Sequence, residues 1–133
     1  VSRHCRRLAV TASVDAMNYL KPLPLGHSVC VETYISGTGK KSVEVFCKVV
    51  GEDVLNGERY LAATSFWTFV ALPREGEGDF TVDAIVPETD EEKFICSGYE
   101  ERRKARLEQL GRQEALMEHI TVVKPWNLEE SES

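Results

Sequence analysis

The chain has 133 residues, 42% of them hydrophobic, which is enough for one domain with a core and too little for two. A formal net charge of −6 argues against a general nucleic-acid-binding protein, which needs a basic surface. No apolar run approaches the roughly 20 residues of a membrane-spanning helix, and the basic start does not lead into a signal-peptide core. We therefore expect a cytoplasmic protein that binds neither nucleic acid nor membrane.

Two stretches near the start of the chain alternate apolar and polar residues with a period of two, as half-buried strands do. The first covers residues 8–17. Its predicted apolar face consists of Leu8, Val10, Ala12, Val14 and Ala16. Two prolines in residues 21–26 then break strand pairing, because proline donates no ladder hydrogen bond. The second strand is predicted over residues 27–36.

Two further strands follow, each after a turn signal. Glycines in residues 37–41 predict a hairpin that leads into a third strand over residues 42–51. Asn56-Gly57 predicts the next hairpin, and residues 58–72 form the fourth strand. This strand is apolar on both faces over residues 62–71, which favours a central position in the sheet. Short links between all four strands predict an antiparallel meander.

A helix is predicted from Asp90 to about Met117, with Thr89 as its N-cap and Glu92 reaching back to the Thr89 amide. Its apolar stripe is thin, and Gly98 and Gly111 are weak points.

We expect two parts: residues 1–86 as the sheet domain, and residues 87–133 as this helix followed by an acidic, disordered tail. The sheet's apolar face lacks a covering layer, which must come from elsewhere.

Four motifs resemble, in order, those of the hotdog acyl-CoA hydrolases. Residues 11–17 (TASVDAM), with residues 20–22 and Gly26, resemble that family's second strand. Residues 38–45 (TGKKSVEV) resemble its next hairpin. Residues 58–72 resemble its last strand, and residues 86–93 (VPETDEEK) the start of its C-terminal helix. The resemblance covers about residues 2–93 and depends on the four motifs together.

The resemblance implies an α+β hotdog fold, an antiparallel sheet wrapped around a long central helix, with a further C-terminal helix. Ser2, Arg3, His4 and Cys5 resemble the last turn of the wrapped helix. The family's first strand and most of that helix are therefore expected before Val1. The resemblance also implies homodimers of hotdogs, assembled as trimers of dimers into a hexamer.

The resemblance implies hydrolysis of acyl-CoA to a free fatty acid and coenzyme A, at a site between subunits. The family's catalytic Asn and Asp lie at the start of the central helix, so the catalytic residues are expected upstream of Val1 and none is assigned here. Asp15 is the one weak candidate for a general base, and we interpret it as structural. Residues 1–133 alone are therefore predicted not to turn over acyl-CoA. A non-catalytic acyl-CoA-binding or oligomerising module is the alternative, and a generic β-meander interaction domain is a third.

The candidate coenzyme A-binding residues form three groups. The first is a glycine-containing hairpin whose two ammonium groups suit phosphates: Thr38, Gly39, Lys40, Lys41 and Ser42. Spacing alone favours an ordinary solvated turn, and the family resemblance favours binding. Arg6 and Arg7, with Arg3, form a second basic group, which a helix C-terminus would also explain. Ser13 lies in the strand that the resemblance places near the pantetheine arm.

No metal site and no cofactor are expected, because the three histidines lack partners at ligand spacing. Coenzyme A would enter only as part of the substrate. The four cysteines, Cys5, Cys30, Cys47 and Cys96, show no zinc-like or disulfide spacing, so we predict reduced thiols that mostly fill the core.

Overall fold

The structure, a computed structural model, describes residues 1–127, so the predicted acidic tail lies mostly outside the described residues. Its elements are α1 (Ser2–Cys5), β1 (Ala9–Tyr19), β2 (Ser28–Thr38), β3 (Ser42–Asp53), β4 (Glu58–Ala71), α2 (Asp90–Ser97), α3 (Tyr99–His119) and a 3-10 turn (Pro125–Asn127). Contacts divide the chain into two units, Val1–Tyr99 and Glu100–Ser133. The first unit contains the sheet and α2, and the predicted domain boundary at residue 86 stays a prediction.

The four strands form one antiparallel sheet in the order β1-β4-β3-β2. Strands β2 to β4 follow one another as a meander, and β4 is central, as predicted. The prediction of a meander is wrong for β1, which pairs with β4 at the edge of the sheet opposite to β2. Residues 20–27 carry the chain across three strand spacings, about 14 Å. Eight extended residues reach about 26 Å, so this crossing is easily made.

Strand β1 does not keep the single apolar face that its sequence predicts. The register with β4 shifts between Thr11 and Ser13, which leaves Ala12 as an extra residue. Val10 therefore pairs with Val70 while Val14 pairs with Trp67, on the opposite face of the sheet. A second irregularity after Asp15 includes Ala16, whose φ is 47°.

The buried core lies at one end of one sheet face. It contains Cys5 of α1, Val43, Ala71, and two residues that follow β4, Phe80 and Val82. Farther along this face the side chains of β2 are open, since Val29 and Val31 are 51% and 60% exposed. The structure agrees with the prediction that the sheet has an apolar face with an incomplete cover among residues 1–127.

The other sheet face carries α2 and an aromatic row. The ring centroids of Phe46 and Phe66 are 5.1 Å apart, and those of Tyr34 and Phe46 are 5.4 Å apart. Tyr99 packs on Gly37 so closely that a Cβ there would lie 2.1 Å from Cδ2 of the Tyr99 ring. This face therefore receives its cover from the segment that follows the sheet.

The predicted C-terminal helix is two helices, because it breaks at Gly98, where φ is −88° and ψ is 0°. Thr89 caps α2 as predicted, accepting from the Glu92 amide at 3.1 Å. Glu92 accepts from the Glu88 amide instead of that of Thr89.

All four cysteines are free thiols. Cys5 is buried, but the prediction of a core position is wrong for Cys30, which is exposed on the edge strand β2.

Candidate functional site

The two basic segments that the sequence places far apart meet at Phe80. The guanidinium carbon of Arg7 lies 4.1 Å from the Phe80 ring centroid, and Nζ of Lys41 lies 5.3 Å from it. Both distances suit cation–π contacts. Phe80 is 8% exposed and was not among the predicted site residues. Its signal in the sequence is that it is the one large aromatic residue in the glycine-rich and charged loop of residues 73–82.

The hairpin between β2 and β3 is held by backbone hydrogen bonds on several sides. The Gly39 amide donates to the Ser42 carbonyl at 2.8 Å and closes the turn. The Lys40 carbonyl accepts from the Val82 amide at 2.7 Å, and the Lys41 carbonyl accepts from the Ala71 amide at 2.8 Å. The hairpin backbone is thus fixed, while the Lys40 and Lys41 side chains stay 62% and 47% exposed.

The two lysine side chains converge on one carboxylate. Nζ of Lys40 lies 2.8 Å from Oδ2 of Asp79, and Nζ of Lys41 lies 3.4 Å from Oδ1. Hydrogen bonds from Lys40, and then from Lys41, hold the pKa of Asp79 below its ordinary value. The predicted binding hairpin therefore contains two ammonium groups spaced to share one anion.

The arginines of the second predicted group have different environments. Arg7 donates to the Cys5 carbonyl at 2.9 Å, forms an ion pair with Glu77, and is only 12% exposed. That ion pair holds the pKa of Glu77 below its ordinary value. Arg6 is exposed and ends α1 with φ 54°, and its carbonyl accepts from Nε of Arg74 at 3.1 Å. All three arginines line one open groove, but only Arg7 is engaged there by an internal ion pair.

Ser13 and Asp15 lie apart from the hairpin cluster. Oγ of Ser13 donates to Asp15 at 3.1 Å, and Oγ1 of the buried Thr68 donates to the same carboxylate at 3.5 Å. Ser13 pairs with Thr68, whereas Val43 pairs with Phe69, so Ser13 and Val43 occupy opposite faces of the sheet. The structure therefore does not bring Ser13 to the Phe80 side, where Val43 packs.

Among residues 1–127, the other titratable groups do not form a metal centre. Nδ1 of His27 is 2.7 Å from the Tyr60 hydroxyl, and Nε2 is 3.9 Å from Asp53. His4 contacts the Asp83 carbonyl at 2.7 Å. Within residues 1–127, no group of three His, Cys, Asp or Glu side chains could hold a metal ion. No helix in that range is long and apolar enough to span a membrane.

Comparison with known proteins identifies the class of protein to which this chain belongs. The sequence profile of the thioesterase superfamily matches residues 1–57. Solved structures with the same architecture include an acyl-CoA hydrolase from Bacillus cereus, with a TM-score of 0.83 and 38% identity over 90% of this chain and 73% of that one. The fold is the hotdog fold of acyl-CoA hydrolases, an α+β architecture, as predicted.

Proteins of similar sequence narrow the assignment from the fold to the family. An uncharacterized acyl-CoA thioester hydrolase of Bacillus subtilis is 44% identical over 125 residues, which are 94% of this chain and 72% of the relative. The human cytosolic acyl coenzyme A thioester hydrolase is 37% identical over 69% of this chain, and the match spans 24% of that relative. The chain belongs to the acyl-CoA thioester hydrolase family.

Two further solved structures bear on ligands and assembly. An acyl-CoA hydrolase from Staphylococcus aureus, in complex with butyryl coenzyme A, coenzyme A and coenzyme A disulfide, has a TM-score of 0.81 and 32% identity. It matches 89% of this chain and 71% of that chain. An apo hexameric acyl-CoA thioesterase has a TM-score of 0.73 and 30% identity over 82% of this chain and 69% of that one.

Proposed function

We propose that the protein hydrolyses acyl-CoA thioesters. The observation that carries this proposal is the 44% identity to an acyl-CoA thioester hydrolase over nearly the whole chain. In the reaction, water adds to the thioester carbonyl, the carbon–sulfur bond breaks, and the products are a free carboxylic acid and the thiol of coenzyme A. Water and acyl-CoA are the only reactants, and the proposal needs no resident cofactor. A non-catalytic acyl-CoA-binding module is the alternative.

The hairpin of residues 38–42 is the proposed site for the phosphates of coenzyme A. Its support is the convergence of Lys40 and Lys41 on one anionic group, Asp79, which shows that both ammonium groups can share a single anion. Charge-assisted hydrogen bonds from two ammonium groups to phosphoryl oxygens are strong relative to neutral ones. Arg6 lies on the neighbouring exposed turn and is a secondary candidate, whereas Arg7 serves Phe80 and Glu77.

The proposal gives Asp15 and Ser13 a structural role. The Asp15 carboxylate accepts from Ser13 within β1 and from Thr68 of β4, and the second of these hydrogen bonds ties β1 to β4. A general base would need an accessible proton acceptor beside a water and the thioester. We therefore assign no catalytic residue within this chain.

The proposal extends to assembly and location. Homo-oligomerisation, as dimers that form a hexamer, is supported by the hexameric thioesterase of the same fold. A cytoplasmic location is supported by the human relative, which is named as cytosolic.

The test of catalysis is an assay on the protein expressed from its complete coding sequence. Butyryl-, octanoyl- and palmitoyl-CoA are supplied in turn, and release of free thiol is followed. We expect turnover of at least one substrate. Coenzyme A binding without thiol release at any chain length would contradict hydrolysis and favour the binding module.

The test of the hairpin is the double variant Lys40→Ala/Lys41→Ala. Because both ammonium groups are expected to contact phosphate in the ground state and in the transition state, KM should rise about ten-fold while kcat changes less than about two-fold. The matched control is Lys93→Ala, which removes an exposed lysine from α2. An unchanged KM in the double variant would move the phosphate site away from this hairpin.

A further inference from the structure

The carboxylate of Asp79 occupies the position that the proposed site offers to a phosphate. Its two oxygens face two different ammonium groups, at 2.8 Å from Lys40 and 3.4 Å from Lys41. A phosphoryl group bound by the same two lysines would need the same space. Asp79 and such a ligand therefore exclude each other.

The loop that carries Asp79 is fixed next to that residue. Phe80 is buried beneath the Arg7 guanidinium and the Lys41 ammonium group, and the Val82 amide donates to the Lys40 carbonyl at 2.7 Å. The Asp79 side chain itself is 67% exposed. It can therefore turn away from the lysines by a change of rotamer, while Phe80 keeps its place in the core.

We propose that Asp79 is an internal competitor that sets the affinity and the charge selectivity of the hairpin for phosphoryl ligands. This inference rests on the proposed coenzyme A site. A phosphate monoester carries up to two negative charges and three acceptor oxygens, against one charge and two oxygens for a carboxylate. A phosphate can therefore displace Asp79, whereas a singly charged anion such as an acetate gains little from the exchange.

The displaced carboxylate also acts on the bound ligand. Asp79 stays on the same fixed loop, so its negative charge remains near the phosphate and repels it. The ion pairs are exposed, and each such pair contributes little, so the combined effect on affinity is moderate. Removing the charge should tighten binding by about three- to ten-fold.

The experiment compares Asp79→Asn with the unsubstituted protein, both expressed from the complete coding sequence. Kd is measured by calorimetry for coenzyme A, dephospho-coenzyme A, adenosine 3′,5′-bisphosphate and 4′-phosphopantetheine. We expect tighter binding of coenzyme A and a lower KM, with kcat within about two-fold. Ligands that lack the phosphate at this position should show no gain, so the four probes identify which phosphate displaces Asp79.

The matched control is Asp83→Asn, which removes the same charge from a nearby exposed residue. A gain in both variants would reflect overall charge and would overturn the competitor role. Unchanged binding in Asp79→Asn would also overturn it, and weaker binding would show that Asp79 only anchors its loop. If Lys40→Ala/Lys41→Ala has no effect on coenzyme A, the hairpin proposal itself fails. If that double variant weakens binding while Asp79→Asn changes nothing, only the inference about Asp79 fails.

Discussion

Gly37 shows how a single missing Cβ positions the segment that follows the sheet. A Cβ built on Gly37 would lie 2.1–2.6 Å from three atoms of the Tyr99 ring, which is far inside van der Waals contact. Tyr99 is 8% exposed, so its ring has little room to retreat. The glycine is therefore required by the close approach of an aromatic ring.

We predict that Gly37→Ala lowers the free energy of unfolding by about 1–3 kcal/mol, because overpacking displaces the Tyr99 ring. Urea unfolding followed by circular dichroism measures the change. Gly111→Ala in α3 is the control, since a Cβ there meets nothing within 4 Å. It should stabilise the protein by about 0.5–1 kcal/mol through helix propensity. Equal midpoints for Gly37→Ala and the unsubstituted protein would contradict the packing argument.

The residue pattern predicted the strands well but not which way each side chain points. Val10, Ala12 and Val14 are all apolar, so the sequence alternation runs through the position where the structure inserts an extra residue. The bulge depends on the register with β4, which local sequence does not encode. Phe80 was missed for a related reason. Its role depends on Arg7 and Lys41, which lie far from it in the sequence.

At the scale of elements, one carboxylate fastens α2 to the sheet. Glu91 of α2 accepts from the Tyr34 hydroxyl at 2.9 Å and from Nζ of Lys48 at 3.0 Å. Lys48, and then Tyr34, hold the pKa of Glu91 below its ordinary value. Burial, and then the hydrogen bond to Glu91, raise the pKa of Tyr34. Helix α2 therefore contacts β2 and β3 through a partly exposed polar cluster.

We predict that Glu91→Gln lowers stability at pH 7 by up to about 1 kcal/mol, because the ion pair is partly exposed. Glu91 has a lowered pKa in the folded state, so its contribution is present above its ordinary pKa of 4.5 and disappears as pH falls through the folded value. Urea unfolding should show a larger gap in stability between the two proteins at pH 7 than near pH 3. Glu118→Gln, at an exposed site in α3, is the control. A gap of the same size at both pH values would show that the ion pair is not its cause.

The sequence predicted some of the connections between elements and missed others. Both glycine hairpins and the Thr89 cap are where the pattern placed them, because their signals are local. The crossing from β1 to β2 was missed, since the prolines of residues 21–26 only exclude pairing and do not say to which edge the chain goes. The helix breaks at Gly98, which the sequence analysis named as a weak point of the helix. The helix was nevertheless predicted to continue through this residue.

At the scale of the whole molecule, the open sheet face bears on assembly. Val14, Val29 and Val31 are 45%, 51% and 60% exposed, and they share the face that holds the Val43 core. Exposed apolar sheet faces of this kind are normally covered by another layer. The face therefore needs a covering layer, from the expected central helix or from a partner subunit.

We predict that the protein from the complete coding sequence elutes as a hexamer when size-exclusion chromatography is combined with light scattering. Its melting temperature should rise with protein concentration, because association stabilises the folded subunits. The concentration series is its own control, since a monomer would melt at one temperature throughout. A monomeric mass across the series would contradict the proposed assembly.

The position of Phe80 between Arg7 and Lys41 has a practical consequence. These three residues come from separate parts of the chain and meet only when β4 is paired with both β1 and β3. A synthetic peptide of the hairpin would contain both lysines but neither the aromatic ring beneath Lys41 nor the carboxylate between the two ammonium groups. Because only the fold brings these groups together, a linear peptide cannot reproduce the site.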